Sequence, residues 1–94
     1  MAVKILIKRF VPENKENEVA VLLRLLRERT TSQTGYISGE TLKRIDKPGE
    51  NLVISTWHSV DDWRTWVLSE ERTKIQEKID ILLGGDTKYE IYTN

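Results

Sequence analysis

Apolar and polar residues alternate with a period of two from Val3 to Val11. Val3, Ile5 and Ile7 fall on one parity and Lys4, Leu6 and Lys8 on the other. This is the pattern of a strand with one strongly apolar face and one mixed face. Pro12 closes the run, since it has no N–H to give to a ladder. The spacing then lengthens. Val19, Leu22, Leu23 and Leu26 stand at i, i+3, i+4 and i+7, with Ala20, Val21 and Leu25 widening the arc. That predicts an amphipathic helix over Asn14 to Thr30. Glu13, Glu16 and Glu18 load its start and Arg24, Arg27 and Arg29 its end, as the helix dipole favours. Those arginines read as a solvated helix face rather than an anion site.

Thr31 to Gly35 is a polar loop. Tyr36 to Asp46 reads as a long second strand, with Gly39 marking a bulge or a close backbone approach. Lys47-Pro48-Gly49-Glu50 has turn chemistry: proline presets one dihedral and glycine permits a positive φ. Asn51 to Trp57, rich in β-branched and aromatic residues, is the third strand and completes a hairpin. The period then changes again. Ser59 and Asp62 form a capping pattern, and Trp63, Trp66 and Val67 share a helical face. Ser69-Glu70-Glu71 starts a second helical piece, so the chain bends near Leu68 and Ser69. Ile75, Ile79, Leu82 and Leu83 carry the stripe to Gly84-Gly85, which stops it. Asp86 to Thr93 is the fourth strand, with Tyr89, Ile91 and Tyr92.

The order β-α-β-β-α-β is that of an α+β, ferredoxin-like domain with one four-stranded antiparallel sheet. Helices cover one face. The first and third strands are apolar on both parities, through Leu6 and Phe10 and through Leu52 and Ile54. Both faces therefore expect cover, and a second copy of the chain would supply the other half.

The 94 residues make a single domain, 1–94, with a modest core. Fifteen basic and fifteen acidic residues cancel, so no net field favours nucleic acid or an anionic membrane. The absence of cysteine excludes disulfides, thiol nucleophiles and cysteine-ligated metals. No apolar run approaches the roughly 20 residues of a membrane span. Lys4, Lys8 and Arg9 break up the N-terminal stretch, which does not read as a signal peptide. The expectation is a soluble, cytoplasmic protein.

From Trp57 onward the chain reads strand-Trp-polar-Ser-x-x-Asp-aromatic-x-x-Trp-x-x-Ser, on residues Trp57, Ser59, Asp62, Trp63, Trp66 and Ser69. With the strand, helix and hairpin before it, this resembles the antibiotic biosynthesis monooxygenase family over nearly the whole chain. The resemblance implies a homodimeric α+β barrel in which two sheets face each other, with a pocket between sheet and helices in each subunit. It also implies no metal, flavin or other cofactor where a polycyclic phenol or quinol is oxidised. Other members degrade haem or isomerise small metabolites. The phenol-oxidising members match Trp57, but they carry asparagine where this chain has Val53 and tyrosine where it has Trp63. The haem-degrading members match Trp66, but their iron-ligating histidine falls at Gln76 and their strand-one asparagine near Lys8. Glutamine is not an axial haem ligand, so haem degradation is disfavoured.

The candidate site residues follow from both readings. Trp57, Trp63 and Trp66 either pack as core or wall an apolar pocket and stack on a flat substrate. His58, the only histidine, is the candidate proton acceptor, because histidine as a residue type can move protons near neutral pH; its plainer role is a surface or capping residue. Arg72 and Gln76 lie one turn apart and face either the same cavity as Trp66 or water. Tyr36 offers a phenol to orient a substrate, or packs across strands. The acidic pairs Asp61-Asp62 and Glu70-Glu71 are explained by their helix starts, and a zinc site is not expected. The resemblance therefore implies a cofactor-free monooxygenase acting on a small aromatic compound. Its rivals are a non-catalytic dimer that binds a small hydrophobic molecule, and an isomerase.

Overall fold

The computed structural model describes residues 2–85 and 87–94. Its elements are β1 (Val3–Phe10), α1 (Glu16–Thr31), β2 (Tyr36–Lys43), β3 (Glu50–Trp57), α2 (Val60–Val67), α3 (Glu70–Leu83) and β4 (Lys88–Thr93), with a 3-10 turn at Glu13–Lys15. The strands form one sheet in the order β2-β3-β1-β4, every neighbouring pair antiparallel. This is the β-α-β-β-α-β arrangement that the sequence predicts. Asp86, placed by the sequence at the start of the fourth strand, lies outside the described residues. No helix among the described residues is long and apolar enough to cross a membrane.

Strand parity sets which side chains meet the helices. Val3, Ile5 and Ile7 are buried on the helix-covered face and pair with Trp57, Ser55 and Val53 of β3. Leu26 of α1, Trp63 and Trp66 of α2, and Ile75 and Ile79 of α3 close over them to make one core. The opposite parity, with Leu6, Phe10, Leu52 and Ile54, faces away from the helices.

Local signals account for the helix boundaries. The Ser59 hydroxyl accepts from the Asp62 N–H at 3.1 Å, and the Ser69 hydroxyl accepts from the Arg72 N–H at 3.2 Å. Each thus satisfies an amide that has no partner within its helix. Ser69 also donates to the Trp66 carbonyl at 2.7 Å, so one side chain ends α2 and starts α3. Gly84, at φ +73°, gives the left-handed stop that closes α3.

Several boundaries and one face differ from expectation: β1 ends at Phe10, α1 runs on to Thr31, and β4 begins at Lys88. The second strand ends at Lys43; Arg44 makes a last cross-strand bond from its N–H to the Glu50 carbonyl at 3.0 Å, and its side chain bonds Asp46 and Glu50 across the turn. The first helix starts at Glu16, after the 3-10 turn, and β3 begins one residue early at Glu50. The apolar arc of α1 is narrower than read: Val21 is 63% exposed. The bulge in β2 falls between Tyr36 and Ser38, not at Gly39. Gly39 is instead the close approach, since a Cβ there would lie 2.7 Å from the Tyr36 hydroxyl oxygen.

Candidate functional site

A cavity of about 590 Å³ opens between α1 and the β2–β3–β1 part of the sheet. It exists because β2 carries little bulk on that face. Gly39, Thr41 and Lys43 present small or flexible side chains beneath Val19, Leu23 and Leu26 of α1. Trp57 on the sheet and Trp63 and Trp66 on α2 wall it, and each is also part of the core. The three indoles therefore pack in the core, and each also borders the hollow.

Hydrogen bonds hold these rings in place. The Trp57 indole N–H donates to the Ser55 hydroxyl at 3.1 Å. That of Trp66 donates to the Thr30 hydroxyl at 3.2 Å, which ties α2 to the last turn of α1. Tyr36 meets Trp57 edge to face at 5.5 Å, and Trp63 meets Tyr89 similarly at 5.7 Å, the geometry that ring quadrupoles favour. The bulge at Ile37 puts Tyr36 on the helix-covered face opposite Trp57, so its ring borders the cavity.

Two guanidinium groups also border the cavity: Arg9 from β1 and Arg72 from α3, only 6% and 4% exposed. Arg9 Nη2 donates to Gln76 Oε1 at 3.0 Å, and Arg72 Nη2 donates to the same oxygen at 3.3 Å. Gln76 in turn donates through Nε2 to Asp80 at 2.8 Å and to Thr87 at 2.7 Å. Arg72 also stacks over the Tyr89 ring, 5.2 Å from its centroid. Arg9 Nε is buried without a hydrogen-bond partner among the described residues. Burial, and then the neighbouring charge of Arg72, pull the Arg9 guanidinium down to a pKa of about 10.

The predicted site residues thus divide. Trp57, Trp63, Trp66, Tyr36 and Arg72 come together around one cavity. Gln76 is buried behind the arginines and is not a wall residue. His58 does not line the cavity. The residue after inward-facing Trp57 points the other way in an extended strand; its side chain is exposed, and its backbone N–H donates to the Gly35 carbonyl at 2.8 Å. Sequence reading missed Arg9 and Asn51. Both share the core parity of their strands, and both line the cavity. A charged residue continuing the Val3-Ile5-Ile7 parity was the available signal. Asn51 lies on the same face of β3 as Val53, one pleat repeat away.

The family model for antibiotic biosynthesis monooxygenase matches residues 2–78. The chain belongs to this family. Among solved structures, a conserved protein from Methanosarcina mazei Go1 superposes with a TM-score of 0.90 at 20% identity, over 100% of this chain and 93% of that one. SnoaB, a cofactor-independent oxygenase from Streptomyces nogalater, gives a TM-score of 0.84 at 15% identity, over 99% and 92%. Rv0793 from Mycobacterium tuberculosis gives 0.86 at 14% identity, over 100% and 95%. No curated protein sequence matches significantly. At these identities the superpositions establish the shared fold, and the chemistry has to be argued from the cavity of this family member.

Proposed function

We propose that the protein is a cofactor-independent monooxygenase that oxidises a small phenol or hydroquinone inside the indole-walled cavity. The observation that carries this is the cavity itself. About 590 Å³ is the size of an ordinary small-molecule site, and flat apolar walls suit a flat aromatic guest. Membership of the family and the fold shared with a cofactor-independent oxygenase support the same reading.

In this reading the substrate supplies the electrons. A phenol that has lost its hydroxyl proton passes one electron to dioxygen, leaving a phenoxyl radical and superoxide. These combine at a ring carbon that bears hydrogen, para to the oxygen in a simple phenol and ortho to it in a hydroquinone, and form a peroxide. The O–O bond then breaks as that carbon loses its hydrogen as a proton. One oxygen atom stays as the second carbonyl of a quinone, and the other leaves as water with both protons. The protein's part is to orient the ring, exclude water and stabilise the developing charge. Trp57, Trp63 and Trp66 hold the ring plane, Tyr36 and Asn51 offer hydrogen bonds to substrate oxygens, and Arg72 faces the charge.

The test is oxygen uptake by the purified protein with a panel of phenols and hydroquinones, run beside tryptophan emission. Uptake above the uncatalysed rate, with quinone as product, is expected. Quenched emission without uptake overturns the reaction and leaves the second reading, a non-catalytic binder of flat molecules. One observation favours that second reading: His58, the candidate proton acceptor, lies away from the cavity. Turnover unchanged in His58→Ala would show that the proton leaves by another route.

The reading includes a homodimer joined through the sheet face that the helices leave open. Leu6 and Ile54 pair across β1 and β3 on that face, and Leu42 and Leu52 pair across β2 and β3. Leu42 is 46% exposed and Phe10 51%, so the patch is apolar and still open to water.

A further inference from the structure

We propose that the cavity selects an anion, and that Arg9 and Arg72 together hold the oxyanion of a flat aromatic ligand. This deepens the functional reading by giving the charge state of the substrate.

The argument starts from what the two guanidinium groups lack. Each has five N–H donors. Among the described residues each makes one side-chain hydrogen bond, and both use the same acceptor, Gln76 Oε1. Neither forms a salt bridge with a carboxylate among those residues. Asp80, the acidic group of the network, bonds Gln76 and Thr87 and hydrogen-bonds neither arginine; its charge and that of Tyr89 act on Arg9 only through space. Tyr89 presents its ring face to Arg72. Two buried cations thus lean on one indirect carboxylate, and a buried charge without a partner is costly. Arg9 Nε makes no hydrogen bond among the described residues.

Packing alone gives no reason for this arrangement. Arg9 stands on the parity of Val3, Ile5 and Ile7, where an aliphatic residue would fill the space at no electrostatic cost. Both arginines border the cavity, and the indoles border it as well. A ligand with a flat apolar body and one oxyanion would satisfy the walls and the unused donors together. The shared chemistry is a phenolate or an aromatic carboxylate. A phenol bound there would be acidified by the two positive charges, so it would give its proton to solvent water or buffer as it enters, with no base needed inside the cavity. The other charged side chains that border the hollow, Glu16, Arg24, Arg27, Glu40, Lys43 and Arg44, are all exposed and are screened by solvent.

The test needs only the full chain and small probes. Isothermal titration calorimetry compares 2-naphthoate with 2-naphthamide, which has the same rings and no charge. Absorbance follows the ionisation of 4-nitrophenol with and without protein. Naphthoate should bind at least about tenfold more tightly than the amide, the size expected when charge-assisted hydrogen bonds are gained. The apparent pKa of bound nitrophenol should fall by about one unit, which is the same tenfold preference for the anion. Arg9→Met and Arg72→Met should each remove most of both effects and keep naphthamide affinity within about threefold, while Arg9→Lys keeps part of the preference. Thermal melts confirm that the variants fold, and the wild-type comparisons do not depend on them.

A preference for both probes, or for either alone, supports the site, and the probe that responds names its oxyanion. Equal affinity for acid and amide with an unmoved nitrophenol overturns it, as does a full preference that survives both substitutions. The oxygenase reading fails separately, through absent oxygen uptake, and anion selectivity would outlast that failure.

Discussion

Arg9 shows how one residue can weaken a fold while equipping a site. Its folded-state pKa of about 10 lies below the ordinary arginine value because burial, and then Arg72, disfavour the charged form. Below pH 10 both the folded and the unfolded chain hold the proton, so the folded chain bears the whole cost of burying the charge. Above it the folded chain releases the proton first, and stability from this group rises with pH until the unfolded chain also deprotonates. Arg9→Met should therefore be more stable at neutral pH by about 1 kcal/mol or more, a rise of about 4–8 °C in Tm per kcal/mol for a chain this short. The gain should shrink above pH 10. Calorimetric melts at pH 7 and pH 10.5 check both points, and a variant that melts below the wild type would show that the guanidinium contributes net stability.

The clearest case at the scale of elements is the β2–β3 hairpin. Arg44 clasps Asp46 at 2.7 Å and Glu50 at 2.9 Å across the turn. These bonds hold both carboxyls below the usual carboxylate range. Whatever the clasp adds is present above the unfolded carboxylate values and is lost as pH falls through the lowered folded ones. Solvent and salt screen it, so its effect should be local. Amide exchange at Lys47–Glu50 should quicken as the pH falls through that acidic range after correction for intrinsic rates, and Arg44→Ala should be fast throughout; a wild-type hairpin indifferent to acid would refute the clasp. The hairpin also shows what a sequence conceals. The inward face of β1 was legible because Val3, Ile5 and Ile7 share one parity, whereas β3 is apolar on both parities and only its pairing with β1 turns Val53, Ser55 and Trp57 to the core. The helix starts at Ser59 and Ser69 were legible because a cap is decided within four residues. β2 was not. It is polar on both parities, and the bulge at Ile37 breaks the count, so nothing local says that Tyr36 faces inward. Arg9 and Arg72 are 63 positions apart, and only the docking of α3 on the sheet makes them neighbours.

For the whole molecule, the sheet divides the labour. One face carries the core and the cavity, and the other keeps an apolar patch that pairing of two copies would cover. Sedimentation equilibrium should therefore give twice the 11.0 kDa chain mass, and Leu52→Glu on the open face should halve it. A wild-type protein that stays monomeric at micromolar concentration would remove the paired arrangement and leave the cavity argument standing. The junction at Ser69 has a consequence of its own. In an unbroken helix, positions 66 and 72 would point roughly 120° apart. Because the axis turns at Ser69, an indole from one segment and a guanidinium from the next border the same hollow. In the proposed site that elbow would work like the joint of a caliper: altering its angle would move the indole and the guanidinium together, so selection for a guest of different width would also reset the affinity for its ionised form.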